Sequence, residues 1–427
     1  MGIAKFIYEL GERLRNPSLR SHYAFLKKSE HWSVSDLEAY QLSKLKELIS
    51  HCIDTVPYYQ NIFIQSGISE SSIETLDDLK KIPVLSKNQL LENVSQIHST
   101  KSYPKEFLAS TSGTTGDSLK FQREESADSF NRASIMRGYS WYGVKPWDRN
   151  GYFWGFNFDW KARLKTKLLD ALQNRFRLFS YSPENLKDFS KKLRSATYVH
   201  GYSSMIYQTA KLIEERSLEP PKNLKMVKGT SEKIYDSYRD VVKRVFGVPI
   251  ISEYGATESG IIAFECPHGN MHVNMEGVIV ECVDHRILVT NLQLFKFPII
   301  RYELGDYIEL ATKNETCSCG MKHQILKEVT GRIGETIRGF KSEYPSLYFY
   351  YIFKNLASKH DVKLTYYVEQ REVGKLDFFI EEKLASSHQN LLKKEISKYF
   401  LKDIDYTINR GKKSSKNGKS KSFKSYL

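Results

Sequence analysis

No stretch of this 427-residue chain approaches the ~18–20 consecutive apolar residues of a membrane span. A stable membrane insertion is therefore not expected. The chain does not open on a secretory signal either, because Lys5 and Glu9 break the apolar start and Glu12 and Arg13 follow. Met1-Gly2 begins like a myristoylation site, but Phe6 stands where Ser or Thr is needed. Cysteine is scarce. Cys52, Cys266, Cys282, Cys317 and Cys319 make an odd set without framework spacing, which argues against disulfides and for a reducing cytoplasm. No internal repeat is visible, and low complexity is confined to Lys412–Lys421. Acidic residues are missing from the C-terminal stretch, where Arg410, Lys412, Lys413, Lys416, Lys419, Lys421 and Lys424 go uncompensated.

What is present is an ordinary globular balance, 41% hydrophobic and 27% charged. The length exceeds the ~250–300 residues at which a single core stops growing, so at least two domains are expected. A net charge of +14, from 64 basic and 50 acidic residues, suits an anionic substrate, a membrane surface or nucleic acid. Only Phe423 and Tyr426 accompany the basic tail, too few aromatics for a base-stacking platform, so no nucleic-acid partner is expected.

Residues 5–50 read as helical, and Ser86 reads as an N-cap after Ile82-Pro83. A short strand at Leu119–Phe121 and a helix over 125–142 follow. Strands at 152–156, 197–199, 224–228 and 248–252 alternate with helices, including one over 232–246, which predicts a parallel α/β sheet. Beyond residue 260 the segments 278–283, 286–290 and 307–310 predict a β-rich subdomain. Helix 345–358, strands 363–368 and 376–381, helix 391–400 and strand 404–408 predict a small α+β domain. The expected division is a large domain over 1–333 and a small lid domain over 334–427.

The sharpest local feature is Ser110-Thr-Ser-Gly-Thr-Thr-Gly-Asp117, with five hydroxyl residues and two glycines in eight positions. It suits neither helix nor strand. It suits an anion cradle, because glycine lets backbone N–H groups approach a phosphate and hydroxyls add donors. The Gly-Lys-Ser/Thr ending of a Walker loop is absent. Downstream come Glu253-Tyr254-Gly255-Ala256-Thr257-Glu258, Arg301-Tyr-Glu-Leu-Gly-Asp306 and Gly331-Arg332. A segment like Tyr254–Glu258, taken alone between a strand and a helix, is ordinarily an N-capped turn.

Taken together and in this order, these pieces resemble the adenylate-forming enzymes. The resemblance implies that Ser112, Gly113, Thr114, Thr115 and Gly116 cradle phosphate, and that Thr257 and Glu258 hold the triphosphate of ATP and its magnesium. It places Glu253, Tyr254 and Gly255 near adenine and the acyl group, and Asp306 and Arg332 on the ribose. Val56-Pro-Tyr-Tyr59, His200-Gly-Tyr-Ser203, Gly229-Thr-Ser231-Glu232 and Phe297-Pro-Ile-Ile-Arg-Tyr302 resemble the phenylacetate–coenzyme A ligase branch. This adds Ser231 and Glu232 to the nucleotide-binding set. Within the branch the chain is similar to CapK-type proteins associated with capsular and other surface polysaccharide biosynthesis. Asn417-Gly418-Lys419 resembles the family's terminal Gly-Lys, which implies that Lys419 bridges carboxylate and α-phosphate, with Lys416 and Lys421 as rivals. Two departures stand out. Gly334-Glu335 replaces the hinge's Asp-Asp, and Ser118 replaces a common proline.

Cys266-Pro-His268-Gly-Asn-Met-His272 and Cys317-Ser-Cys319-Gly offer three thiolates and a histidine, a set suited to a closed, structural zinc site. Related members of the branch carry similar positions. Cys266, His272, Cys317 and Cys319 are the expected ligands, with His268 the alternative to His272. The expected reaction is ATP-dependent activation of a carboxylic acid to an acyl-adenylate, with pyrophosphate release and acyl transfer to coenzyme A, an amine or a sugar. A phenylacetate-type acyl–coenzyme A ligase and a catalytically degenerate nucleotide-binding protein are the alternatives.

Overall fold

The computed structural model describes residues 2–111, 119–153, 160–178, 183–312, 315–332, 336–400, 402–411 and 422–427. They form two compact units, each assembled from two stretches of chain. The first combines Met1–Asp148 with Ile251–Val329, and the second Arg149–Ile250 with Thr330–Leu427.

The first unit opens on the helices Ile3–Arg15, Leu19–Ser29 and Val34–Thr55. The third begins at a reciprocal cap: Ser33 Oγ accepts from the Asp36 N–H at 3.1 Å, and the Asp36 carboxylate accepts from the Ser33 N–H at 3.2 Å. Leu37, Leu45, Leu48, Ile49 and Cys52 recur at helical spacing and are buried on one face. Val56-Pro57 ends this helix and starts Pro57–Ser66, with proline in the first turn where its missing N–H costs nothing.

The strands of this unit run in the order Val278–Val283, Arg286–Asn291, Tyr302–Leu310, Ile325–Arg332, Met271–Val273, Gly260–Glu265 and Ile250–Ala256. Asp284 and His285, both at positive φ (50° and 63°), make the two-residue turn of the first hairpin. The helix Glu125–Trp141, buried along Ala127, Phe130, Ala133 and Met136, belongs to this unit too.

In the second unit, four parallel strands run in the order Met226–Thr230, Tyr198–Tyr202, Asn150–Phe153 and Arg175–Arg177. The helices Trp160–Leu172, Pro183–Leu193, Ser203–Glu215 and Asp236–Phe246 alternate with them, which is the α/β pattern expected. The C-terminal part is a four-stranded sheet, Asp405–Arg410, Lys375–Ile380, Tyr366–Glu372 and Phe423–Ser425, with the helices Leu347–His360 and Ser386–Phe400. Its own core centres on Phe349, Ile352, Leu356, Val368, Phe378 and Phe400. The last strand was not legible as one. It pairs in parallel with Tyr366–Glu372, with Val368 opposite Phe423, so the chain's end docks on the sheet after the basic run.

The Tyr235 ring, packed edge-on against Tyr366, and several polar contacts join this sheet to the α/β layer. Ser237 and Thr365 share a hydrogen bond at 2.7 Å, Lys363 pairs with Asp240 at 3.1 Å, and Lys211 with Glu381 at 3.5 Å.

Candidate active site and metal centre

Tyr254–Glu258 is not followed by a helix. It closes a hairpin, with strand Ile250–Ala256 turning at Thr257–Ser259 into the antiparallel Gly260–Glu265. The turn is tight for a reason written in two glycines. A Cβ on Gly255 would lie 2.4 Å from the Gly260 carbonyl oxygen, and Gly260 itself sits at φ +73°. Two distant asparagines fix the turn. Asn131 Oδ1 accepts from the Ile261 N–H at 2.9 Å, and Asn291 Nδ2 donates to the Ser259 carbonyl at 3.1 Å. Thr257 and the buried Glu258 thereby line a cleft with Arg123, Asn131 and Gln293.

On the same strand, the Tyr254 hydroxyl donates to Asp306 Oδ2 at 2.7 Å, so residues from two separate sequence elements meet directly. Arg301, which opens the second of these elements, has an anchoring position. Its guanidinium makes a two-pronged pair with Glu281 (2.9 Å at both Nε and Nη2) and donates to the Ile82 carbonyl at 2.6 Å. Its backbone is at φ 48°.

Glu253 is buried in the strand opposite Phe264. Ser231 and Glu232 belong to the second unit. Ser231 adopts φ 64°, and Glu232 Oε2 accepts from the Ser204 N–H at 2.8 Å, capping the start of Ser203–Glu215. Arg332 ends the strand Ile325–Arg332. Ser112, Gly113, Thr114, Thr115, Gly116, Gly334 and Lys419, with its rivals Lys416 and Lys421, lie outside the described residues.

The cysteine-rich segments converge. Cys266 and Cys317 each begin a turn closed by a glycine three residues on: Gly269 N–H donates to the Cys266 carbonyl at 2.9 Å, and Gly320 N–H to that of Cys317 at 3.1 Å. Both glycines are at positive φ, +83° and +88°. His272 comes in from the short strand Met271–Val273, opposite Phe264 on one side and Ile325 on the other. The ligand atoms of Cys266, His272, Cys317 and Cys319 all lie within 4.8 Å of one another.

Cys266 Sγ and Cys317 Sγ are 3.7 Å apart, far beyond a disulfide bond. They are close to the ~3.8 Å that two sulfurs at ~2.3 Å from a tetrahedral ion subtend. Cys319 Sγ is 3.2 Å from His272 Nε2. His268 instead bonds Ser318 Oγ through Nδ1 at 2.9 Å. Burial pushes the His272 imidazole down to about 4, leaving it in the neutral form that ligates metal. Burial, then the neighbouring Cys317 and Cys266, push Cys319 up to about 12, a penalty that a divalent cation would remove. The donor set fits zinc.

Behind this centre lies a buried charge network. Glu276 Oε1 accepts from Arg137 Nη1 at 2.7 Å and from His323 Nε2 at 2.9 Å, and also from Ser29 Oγ. Arg137 Nη2 donates to Asn274 Oδ1 at 2.6 Å. Burial alone would raise the Glu276 carboxyl. Arg137 and His323 more than offset it and hold the group well below the usual carboxylate range.

No family model matches the chain. Among curated proteins it is 23% identical to protein CapK of Staphylococcus aureus over 322 residues, which is 70% of this chain and 68% of CapK. It is likewise 23% identical to phenylacetate–coenzyme A ligase of Thermus thermophilus over 403 residues, 87% and 84% of the two chains. Among solved structures, 2-hydroxyisobutyryl-CoA ligase in its postadenylation state with 2-HIB-AMP superposes with a TM-score of 0.71 at 13% identity, covering 93% of this chain and 91% of that one. The same ligase with 2-HIB-AMP and CoA in the thioesterification state gives 0.60 at 16% identity, over 93% and 91%. No described helix is long and apolar enough to cross a membrane.

Proposed function

Because the chain belongs to the adenylate-forming superfamily, in its phenylacetate–coenzyme A ligase and CapK branch, we propose that it activates a carboxylic acid as an acyl-adenylate and passes the acyl group to an acceptor. The observation that carries this reading is the hairpin turn. It sets Thr257 and Glu258 in a cleft, while Tyr254 on the same strand is hydrogen-bonded to Asp306.

In the first step a carboxylate oxygen bonds the α-phosphorus, the α–β bridge breaks, and pyrophosphate leaves with the electron pair. Thr257 and Glu258 orient the triphosphate and are the residues that would hold its magnesium. The chemistry such an ion would supply there is neutralisation of the triphosphate's negative charge. Asp306 accepts from the ribose hydroxyls, with Arg332 as its partner on the ribose. The phosphate loop Ser112–Gly116 supplies backbone donors, and Lys419 offsets charge as the attacking oxygen approaches phosphorus. Ser231, Glu232, Glu253, Tyr254 and Gly255 shape the adenine and acyl side.

In the second step a thiol, amine or hydroxyl attacks the mixed anhydride, and AMP leaves. Coenzyme A is the acceptor named for the branch. The CapK relationship favours an amine or a sugar within capsular or O-antigen polysaccharide biosynthesis, in the cytoplasm where ATP is supplied. The segment 334–427 is the lid that turns between the two steps. Cys266, His272, Cys317 and Cys319 would hold a zinc, and with four protein ligands its role would be structural.

ATP–pyrophosphate exchange against a panel of uronic acids, amino acids and arylacetates tests the first step. Acid-dependent exchange with at least one member is expected. Nucleotide binding without exchange on any of them would point to a degenerate binding protein.

A further inference from the structure

The strand Lys120–Glu124 runs straight into the helix Glu125–Trp141, and their junction gathers three arginines around one buried acid. Asp128 Oδ1 takes Arg123 Nη2 at 3.0 Å, Asp128 Oδ2 takes Arg132 Nε at 2.7 Å, and Arg15 Nη2 approaches Oδ2 to 3.9 Å. Asn16 Nδ2 donates to that same Oδ2 at 2.9 Å. The neighbouring carboxylates are engaged elsewhere. Glu124 accepts from the Phe295 and Lys296 N–H groups, and Glu125 from Ser18 and Ser129.

The consequence is an orphan. Arg123 Nε is buried and has no hydrogen-bond partner among the described residues, although a buried unpaired donor costs roughly 1–3 kcal/mol. Burial comes first, and repulsion from Arg132 and Arg15 adds to it, in pushing the Arg123 guanidinium below its ordinary value against the pull of Asp128. Arg123 also lines the cleft of Thr257 and Glu258. In the sequence, Ser110–Leu119 carries no lysine or arginine, and Lys120 and Arg123 on the strand that follows are the first basic residues after it.

We propose that Arg123, backed by Arg132 and Arg15, binds the β- and γ-phosphates of the nucleotide and the pyrophosphate that leaves, an inference that rests on the adenylation reading above. As the α–β bond breaks, its electron pair passes to the departing pyrophosphate. A guanidinium with an unused buried N–H then gains an acceptor whose charge is rising.

ATP–pyrophosphate exchange with the full chain tests this, using Arg123→Gln, Arg123→Lys and the half-exposed Arg132→Gln. Losing one charge-assisted hydrogen bond corresponds to at least ~10-fold in affinity. The KM for pyrophosphate should rise by that factor in Arg123→Gln, with the KM for the acid within about twofold. Arg132→Gln should show a smaller rise, and Arg123→Lys should recover part of the loss. If Arg123→Gln does not fold, Arg132→Gln and Arg123→Lys carry the test. A pyrophosphate KM unchanged in the folded variants overturns the proposal. So does a rise confined to the KM for coenzyme A, which would assign the cluster to the acceptor's phosphates.

Calorimetric titration with magnesium pyrophosphate separates this idea from the reading beneath it. Wild-type binding that the variants lose, in a protein that exchanges with no acid, would keep the site and discard the adenylation function.

Discussion

In the proposed adenylation, Lys419, chosen for its Gly-Lys context, would matter most as the phosphorus becomes five-coordinate. Lys419→Ala should therefore lower adenylate formation by at least ~10²-fold while ATP affinity stays within a few fold. Unchanged exchange would transfer the role to Lys416 or Lys421. Glu276 was not legible as anything in particular, because its partners Arg137 and His323 are remote in sequence and meet only in the fold. Its depressed carboxyl contributes stability that is fully present above the unfolded value near 4.5 and lost as pH falls below it. Glu276→Gln should destabilise by about 3–5 kcal/mol at neutral pH by leaving Arg137 buried and unpaired. The gap to wild type should narrow as both are acidified. Urea unfolding of the two proteins at several pH values measures this, and a gap that stays constant would contradict it.

Elements with a clear period were legible, and those without one were not. Helix 125–142 and strands 278–283 and 286–290 were expected almost where they stand, at Glu125–Trp141, Val278–Val283 and Arg286–Asn291. The strands Met271–Val273 and Phe423–Ser425 are three residues each, too short for alternation to register. Helix Trp160–Leu172 keeps its leucines at 164, 168 and 169 exposed, so its pattern does not describe a face against the core. The hairpin at Thr257–Ser259 was hidden for another reason: its shape depends on Asn131 and Asn291, which nothing local announces. Gly255→Ala probes that hairpin. A Cβ pressed against the Gly260 carbonyl should displace Thr257 and Glu258 and cut exchange by about 10²-fold, the cost of a misplaced catalytic group. Circular dichroism should stay near wild type, and full activity would show that the turn tolerates the shift.

The two cysteine turns make a second element-scale prediction. Metal-replete protein should contain one zinc per chain, retained in His268→Ala and lost in His272→Ala and Cys317→Ala. Elemental analysis giving below about a tenth of a zinc per chain would refute it.

For the whole molecule, the family assignment was legible because widely separated pieces occur in one order, which no single piece could establish. The acyl substrate was not legible, because the side chains that would line its pocket come from scattered strands. The proposed alternation of the 334–427 segment has its pivot at Gly334. Gly334→Pro, by fixing φ near −65°, should hold one orientation. One half-reaction should persist and the other fall by at least ~10²-fold. Pyrophosphate exchange and transfer from preformed adenylate, measured separately, decide it; wild-type rates in both would place the pivot elsewhere.

The spacing of the candidate metal ligands along the chain also sets a timetable. His272 and Cys319 stand 47 residues apart. At about 5–20 residues per second of synthesis, the first pair of ligands leaves the ribosome roughly 2–10 s before the second. During that interval Cys266 and His272 offer only half a coordination sphere, and the strand Met271–Val273 still lacks its partner Ile325–Arg332. Zinc capture and late pairing of that strand should then be one event. Metal scarcity during synthesis would leave the nascent chain with an open edge, whereas a chelator applied to the finished protein would meet candidate ligands of which Cys266, His272 and Cys317 are already buried.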